Sequence, residues 1–174
     1  MISLVFGGSG SGKSEFAEGL LSAVEQKFYI ATMKRCDGET ENRIIRHRRL
    51  REGKGFTTVE CPCNIEEALK DRQNLSSSSA LLECLSNLLA NEMFSENNAG
   101  SLEHVGNRIL CGIKKLCADC RDFIIVSNNV FDDGVEYDDM TKLYIQTLSK
   151  LNCELATIAD KVYEVVCGIP LEVK

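Results

Sequence analysis

Apolar residues along the chain fall into short blocks, and between the blocks they recur every three or four positions, so strands and helices are predicted in turn. Residues 2–6, Ile-Ser-Leu-Val-Phe, form an apolar run that stops at Gly7-Gly8, the pattern of a buried strand. A helix is predicted from Lys13, where Phe16, Ala17, Leu20, Leu21 and Val24 share one face. Further strands are predicted at 28–31, 57–61, 80–82 and 123–127, and helices at 39–52, 65–73, 85–94, 102–118 and 139–159. This alternation implies an α/β fold, a mostly parallel sheet flanked by helices on both faces. Residues 162–166 and 171–173 flank Cys167-Gly168-Ile169-Pro170 and predict a C-terminal β-hairpin at a sheet edge. The polar stretches 76–79 and 97–101 are too short to divide the chain and no repeat is present, so one domain over residues 1–174 is expected.

Composition narrows the class. With 174 residues, 44% hydrophobic and only 2 prolines, the chain can bury a core of its own, which excludes disorder, collagen and coiled coil. A net charge of -6 argues against general affinity for nucleic acid. No run approaches the roughly 18 apolar residues of a membrane span, and the first strand leads into glycines instead of a signal-cleavage region, so a cytoplasmic protein is expected. The 9 cysteines are odd in number, and Cys61-Pro-Cys63 and Cys117-Ala-Asp-Cys120 lack a four-ligand pattern. Reduced thiols are therefore expected, without structural zinc or an obligatory disulfide.

The chemistry begins at Gly7-Gly8-Ser9-Gly10-Ser11-Gly12-Lys13-Ser14, which fits Gly-x4-Gly-Lys-Ser between a predicted strand and a predicted helix. Such a loop turns its backbone N–H groups toward phosphate oxygens, with the helix N-terminus adding a favourable dipole. Lys13 would supply a cation to the β and γ phosphates, and the Ser14 hydroxyl a ligand for Mg²⁺. A P-loop NTPase-like fold follows. Glu83 closes the fourth predicted strand, on the rim where strand ends of a parallel sheet meet the loop. It reads either as a second Mg²⁺ ligand or as a solvated strand-end carboxylate.

Arg43, Arg46, Arg48, Arg49, Arg51 and Lys54 crowd one segment of this acidic chain, around His47. On a helix Arg43, His47 and Arg51 share a face, where like charges repel unless an anion such as a triphosphate intervenes. The segment reads either as a solvated basic face or as an anion site on the P-loop rim. In the second case the imidazole can attack a nucleotide α-phosphate and release pyrophosphate. His104 has no basic neighbours and reads as structural.

Taken together, these motifs resemble the adenosylcobinamide kinase/adenosylcobinamide-phosphate guanylyltransferase family of cobalamin biosynthesis. The resemblance spans nearly the whole chain. It rests on the P-loop octapeptide, Tyr29-Ile30-Ala31-Thr32, Arg43-Ile44-x-x-His47-Arg48-x-x-Arg51, Thr58-x-Glu60, Leu82-Glu83-Cys84-Leu85 with Asn91, Val126-Ser127-Asn128, and the ending through Cys167-Gly168-Ile169-Pro170-Leu171. It implies that His47 carries a covalent GMP and that Thr32, Met33, Lys34, Arg48, Arg49, Leu50, Arg51, Glu60 and Glu83 join the P-loop in the nucleotide site. It further implies ATP or GTP as phosphoryl donor, GTP as guanylyl donor, adenosylcobinamide as the corrinoid substrate, and a homotrimer.

The chain departs from the family pattern at Gly10 (arginine), Phe56 (tryptophan), Asn129 (glutamate), Glu136 (proline) and Ile145-Gln146 (Arg-Asp). Two other functions therefore stay open: a P-loop kinase of another small alcohol, and a degenerate GTP-binding regulatory protein.

Overall fold

In the computed structural model, the described residues are 1–21, 23–34, 45, 48, 49, 51–95, 103–129 and 137–174. Seven strands form one sheet: β1 (Ile2–Phe6), β2 (Lys27–Ala31), β3 (Phe56–Glu60), β4 (Ser79–Glu83), β5 (Asp122–Val126), β6 (Lys161–Val166) and β7 (Ile169–Glu172). Their order is β3-β2-β4-β5-β1-β6-β7, parallel throughout except for the antiparallel β6–β7 pair. The α-helices whose bounds fall among the described residues are α1 (Lys13–Leu20), α2 (Leu85–Met93), α3 (Glu103–Asp119) and α4 (Asp139–Ile158). Each predicted strand is present within a residue or two of its expected ends.

Alternation along the strands sorts the core into two layers. Leu4, Phe28, Ile30, Ala80, Leu82, Phe123, Ile125 and Val162 pack with α2, α3 and α4. Val5, Tyr29, Leu81, Ile124, Val126 and Val165 face the other way, onto Ala17 and Leu21 of the α1 segment. With both faces covered, Ala80-Leu81-Leu82 of β4 and residues 123–126 of β5 are buried on both sides of the sheet, which explains why they appear as unbroken apolar runs in the sequence. Helix α4 begins on Asp138, whose carboxylate accepts from the Met140 and Thr141 N–H groups at 3.0 Å, a cap worth about 1 kcal/mol. Its last carbonyls, at Ala156 and Thr157, and the Ala159 carbonyl beyond them accept from Lys174 Nζ.

Two expectations are corrected. The helix predicted over 65–73 is a 3₁₀ turn, Ile65–Glu67, continued by bonds of the same short span from Lys70 to Glu67 and Arg72 to Leu69. Ile65, Ala68 and Leu69 are buried all the same. A spacing of three and four suits a 3₁₀ turn as well as an α-helix, so periodicity over so short a stretch could not separate them. The connector predicted at 76–79 also ends early. Ser79 opens β4 fully buried, its hydroxyl bonded to Asp122 at 2.8 Å. The helix predicted over 39–52 lies mostly outside the described residues, although Ile45, Arg48, Arg49 and Arg51 are helical.

Candidate active site

Register brings the site together. Ala31 lies opposite both Glu60 and Glu83, and Glu83 lies opposite Val126, so the carboxyl ends of β3, β2, β4 and β5 form one rim. The 7–14 loop leaves β1 on that rim and enters α1 at Gly12, whose φ of 91° is open to glycine at little cost. Lys13 is only 8% exposed, and its ammonium donates to the Gly8 carbonyl at 3.0 Å, curling back over the loop.

Ser14 donates its hydroxyl to Glu83 Oε1 at 2.9 Å. Glu83 Oε2 is buried with no hydrogen-bond partner. Burial pushes the Glu83 carboxyl up to about 7, although the Ser14 hydrogen bond and the Lys13 charge pull the other way. An orphaned carboxylate oxygen beside a serine hydroxyl is a pair of hard oxygen donors of the kind magnesium takes, completed by water and phosphate. Among the described residues no cluster of three or more His, Cys, Asp or Glu side chains stands ready to hold a metal without such help.

The α1 face of the sheet carries a second set of charges beneath this pair. Arg51 is 9% exposed and stacks its guanidinium 3.5 Å from the centre of the Tyr29 ring. Burial pushes the Tyr29 phenol up, with the Glu83 charge adding to it and Arg51 opposing it. Lys54 pairs with Glu18 of α1 at 2.5 Å. Arg51 and Lys54 thus pin the end of the basic segment to the layer that holds Glu83. The sequence left Arg51 either on a solvated basic face or at an anion site on the rim; in the structure it stacks on an aromatic ring.

Thr32 is fully buried. Its hydroxyl meets the Glu83 and Cys84 carbonyls at 3.0 and 2.9 Å and accepts from the Cys84 N–H at 2.8 Å. It therefore pegs the end of β2 to the strand end that bears Glu83. Met33 and Lys34 follow it along the rim, partly buried. Arg48 and Arg49 are exposed; Arg48 forms an ion pair with Glu60, and this pair lines a cleft of about 720 Å³ with Arg51, Phe56 and Thr58. This cleft belongs to β3, four strand spacings or roughly 19 Å from β1. The structure thus joins the P-loop, Ser14 and Glu83 directly, and sets Arg48 and Glu60 farther along the same rim, with Glu60 two strand spacings, roughly 10 Å, from Glu83. His47 and Leu50 lie outside the described residues. His104 is exposed on α3.

Sequence reasoning assigned no role to Glu18 or Tyr29, and it took Asn91 only as part of a motif. The Asn91 amide donates to the Thr32 carbonyl at 2.7 Å and the Pro62 carbonyl at 2.9 Å, tying the loops after β2 and β3 together. A polar amide among the apolar positions of a helix was the available signal.

A parallel sheet with a phosphate loop after its first strand, a lysine and serine at the helix start and an acidic residue on a nearby strand end defines a P-loop NTPase-like nucleotide-binding enzyme. The P4 protein from bacteriophage phi6 in complex with ADP shares the fold, with a TM-score of 0.52 at 14% identity over 97% of this chain and 52% of that one. The family model described as cobinamide kinase / cobinamide phosphate guanyltransferase matches residues 3–173, and the chain belongs to that family. It is similar to the bifunctional adenosylcobalamin biosynthesis protein CobU of Escherichia coli (strain K12), 30% identical with both chains covered in full. It is also 28% identical to the corresponding CobP protein of Pseudomonas aeruginosa, over 100% of this chain and 98% of that one. The protein is an enzyme of cobalamin biosynthesis.

Proposed function

We propose that this enzyme carries out both reactions in its family's name on one corrinoid, adenosylcobinamide. In the first, the terminal hydroxyl oxygen attacks the γ-phosphorus of ATP or GTP; the bond to the β–γ bridging oxygen breaks, the nucleoside diphosphate leaves and the hydroxyl proton is released. In the second, a ring nitrogen of His47 attacks the α-phosphorus of GTP and pyrophosphate leaves. A phosphate oxygen of the phosphorylated corrinoid then attacks the same phosphorus, breaking the phosphorus–nitrogen bond to give adenosylcobinamide-GDP and free histidine. Splitting the transfer lets a positioned imidazole react before the bulky substrate arrives.

The observation that carries this reading is the Ser14–Glu83 pair with its unpartnered carboxylate oxygen, set behind a complete phosphate loop. Ser14 and Glu83 would hold Mg²⁺, which neutralises phosphate charge when bound. Lys13 would leave the Gly8 carbonyl for the β and γ phosphates, and the N–H groups of residues 7–14 would hold the phosphate oxygens. Arg48, Arg49, Arg51, Glu60, Met33 and Lys34 form the remaining nucleotide-site candidates, with Thr32 framing them. The role of His47 rests on family membership and on its place in the sequence four residues before Arg51. No helix among the described residues is long and apolar enough to cross a membrane, and we expect a cytoplasmic homotrimer with a single domain over 1–174.

GTP labelled at α or γ tests the proposal. After incubation and denaturation the α label should stay on the chain in an acid-labile, base-stable bond, and the γ label should not. His47→Ala should abolish labelling and keep nucleotide affinity, because the P-loop grips phosphates independently. Label retained in that variant, or mapped to His104 or a lysine, would refute the assignment and favour the kinase-only reading.

A further inference from the structure

The hairpin at the far end of the chain touches the phosphate loop at its tip. Cys167 and Gly168, with φ of 50° and 81°, are the positive-φ pair of a two-residue turn between β6 and β7. The ladder of this hairpin runs from Tyr163 opposite Glu172 to Val166 opposite Ile169. A turn of this kind closes on the N–H of its fourth residue, so it has no use for the N–H of Gly168. That N–H donates instead to the Ser11 carbonyl at 2.7 Å, in the middle of the phosphate loop.

The approach leaves no room for a side chain at Gly7 and little at Gly12. A Cβ added to Gly12 would lie 3.2 Å from the Gly168 Cα, and one added to Gly7 would lie 2.5 Å from the Val165 carbonyl oxygen. Both ends of the loop therefore rest on the hairpin. From the other side, Asn129 N–H donates to the Gly7 carbonyl at 3.1 Å. The loop is held between the end of β5 and the hairpin tip.

We propose that the Cys167-Gly168 turn is a positioning element for nucleotide binding, with the Gly168 N–H orienting the Ser11 peptide so that the loop keeps its phosphate-binding shape. This rests on the nucleotide-binding reading above and adds residues that lie outside the loop and outside every motif assigned a role so far. A free carbonyl in such a loop would point its negative end wherever solvent allowed. Anchored to Gly168, the Ser11 carbonyl is turned away from the phosphate side, and the N–H groups that follow are left to converge on the anion.

A Cβ on Gly168 would meet nothing within 4 Å, so substitution there tests backbone conformation rather than space. Asparagine tolerates a φ of 81°, whereas β-branched valine does not. Gly168→Val should weaken GTP binding about tenfold, the scale of one ordinary backbone hydrogen bond. Gly168→Asn should bind within about twofold of the wild type, a difference at the few-tenths scale of conservative changes. Affinity is read by titration well below the melting temperature, where loss of stability alone leaves the dissociation constant of the folded protein unchanged. In parallel, amide exchange on the wild-type chain should find the Gly168 N–H protected without nucleotide and further protected with GTP. Wild-type affinity in Gly168→Val, equal losses in both variants, or rapid exchange of the Gly168 amide in both states would overturn the proposal. A wild-type protein that binds no GTP would instead overturn the nucleotide-binding reading, and the exchange measured without nucleotide would still decide the contact.

Discussion

Glu83 ties stability to pH and to magnesium in a way that can be worked out in advance. Burial raises its carboxyl from 4.5 to about 7, and Oε2 has no partner to offset the charge. A carboxyl held higher in the folded state than in the unfolded chain keeps a proton that the unfolded chain releases. Its contribution is therefore intact below pH 4.5, falls between pH 4.5 and 7, and above 7 leaves the folded state roughly 3 kcal/mol less stable than it would be with the group protonated. For a chain of this size that is on the order of 6–12 °C in melting temperature. The assay is urea or thermal unfolding from pH 5 to 8 in a chelator, for the wild type and Glu83→Gln. The wild type should lose about 2–3 kcal/mol more than the variant across that range. Magnesium with a nucleotide should recover most of this loss at pH 8 and little at pH 5, because the cation binds the carboxylate and the proton competes with it. Equal slopes in the two proteins would refute the reasoning by showing that Glu83 is ionised and solvated across the whole range.

Lys13→Ala should lower nucleotide affinity by at least tenfold while costing about 1 kcal/mol of stability or less, since among the described residues its ammonium gives up one bond, to the Gly8 carbonyl; isothermal titration and urea unfolding read the two effects separately. Asn91→Ala should cost about 2 kcal/mol, because it strands the Thr32 and Pro62 carbonyls at once. The loops after β2 and β3 should then exchange their amides faster than the rest of the sheet, and uniform exchange across the sheet would contradict the role given to Asn91.

Much of this protein is written locally. The strand–loop–helix unit that starts the chain, the alternation of elements, the terminal hairpin and the place of Glu83 at a strand end all follow from spacing between neighbours in sequence. Spacing is enough because a strand repeats every two residues, a helix every 3.6, and a phosphate loop needs its glycines, lysine and serine at fixed intervals. What spacing leaves open is which strand ends adjoin. Only the order β4-β5-β1 and the register of those strands bring Glu83 to Ser14 across 69 residues of chain, and desolvation there raises the carboxyl. The fate of Arg51 was also undetermined, since a helical repeat places it on a face without saying whether that face meets a phosphate or the Tyr29 ring. Residues 65–73 show the same limit, because three apolar side chains were buried by a 3₁₀ turn as well as they would have been by a helix. The contact between Gly168 and Ser11 joins positions 157 residues apart through two backbones. A backbone hydrogen bond has no side-chain signature, so sequence alone carries no mark of it, and tertiary packing alone decides that the end of the chain shapes the loop near its beginning.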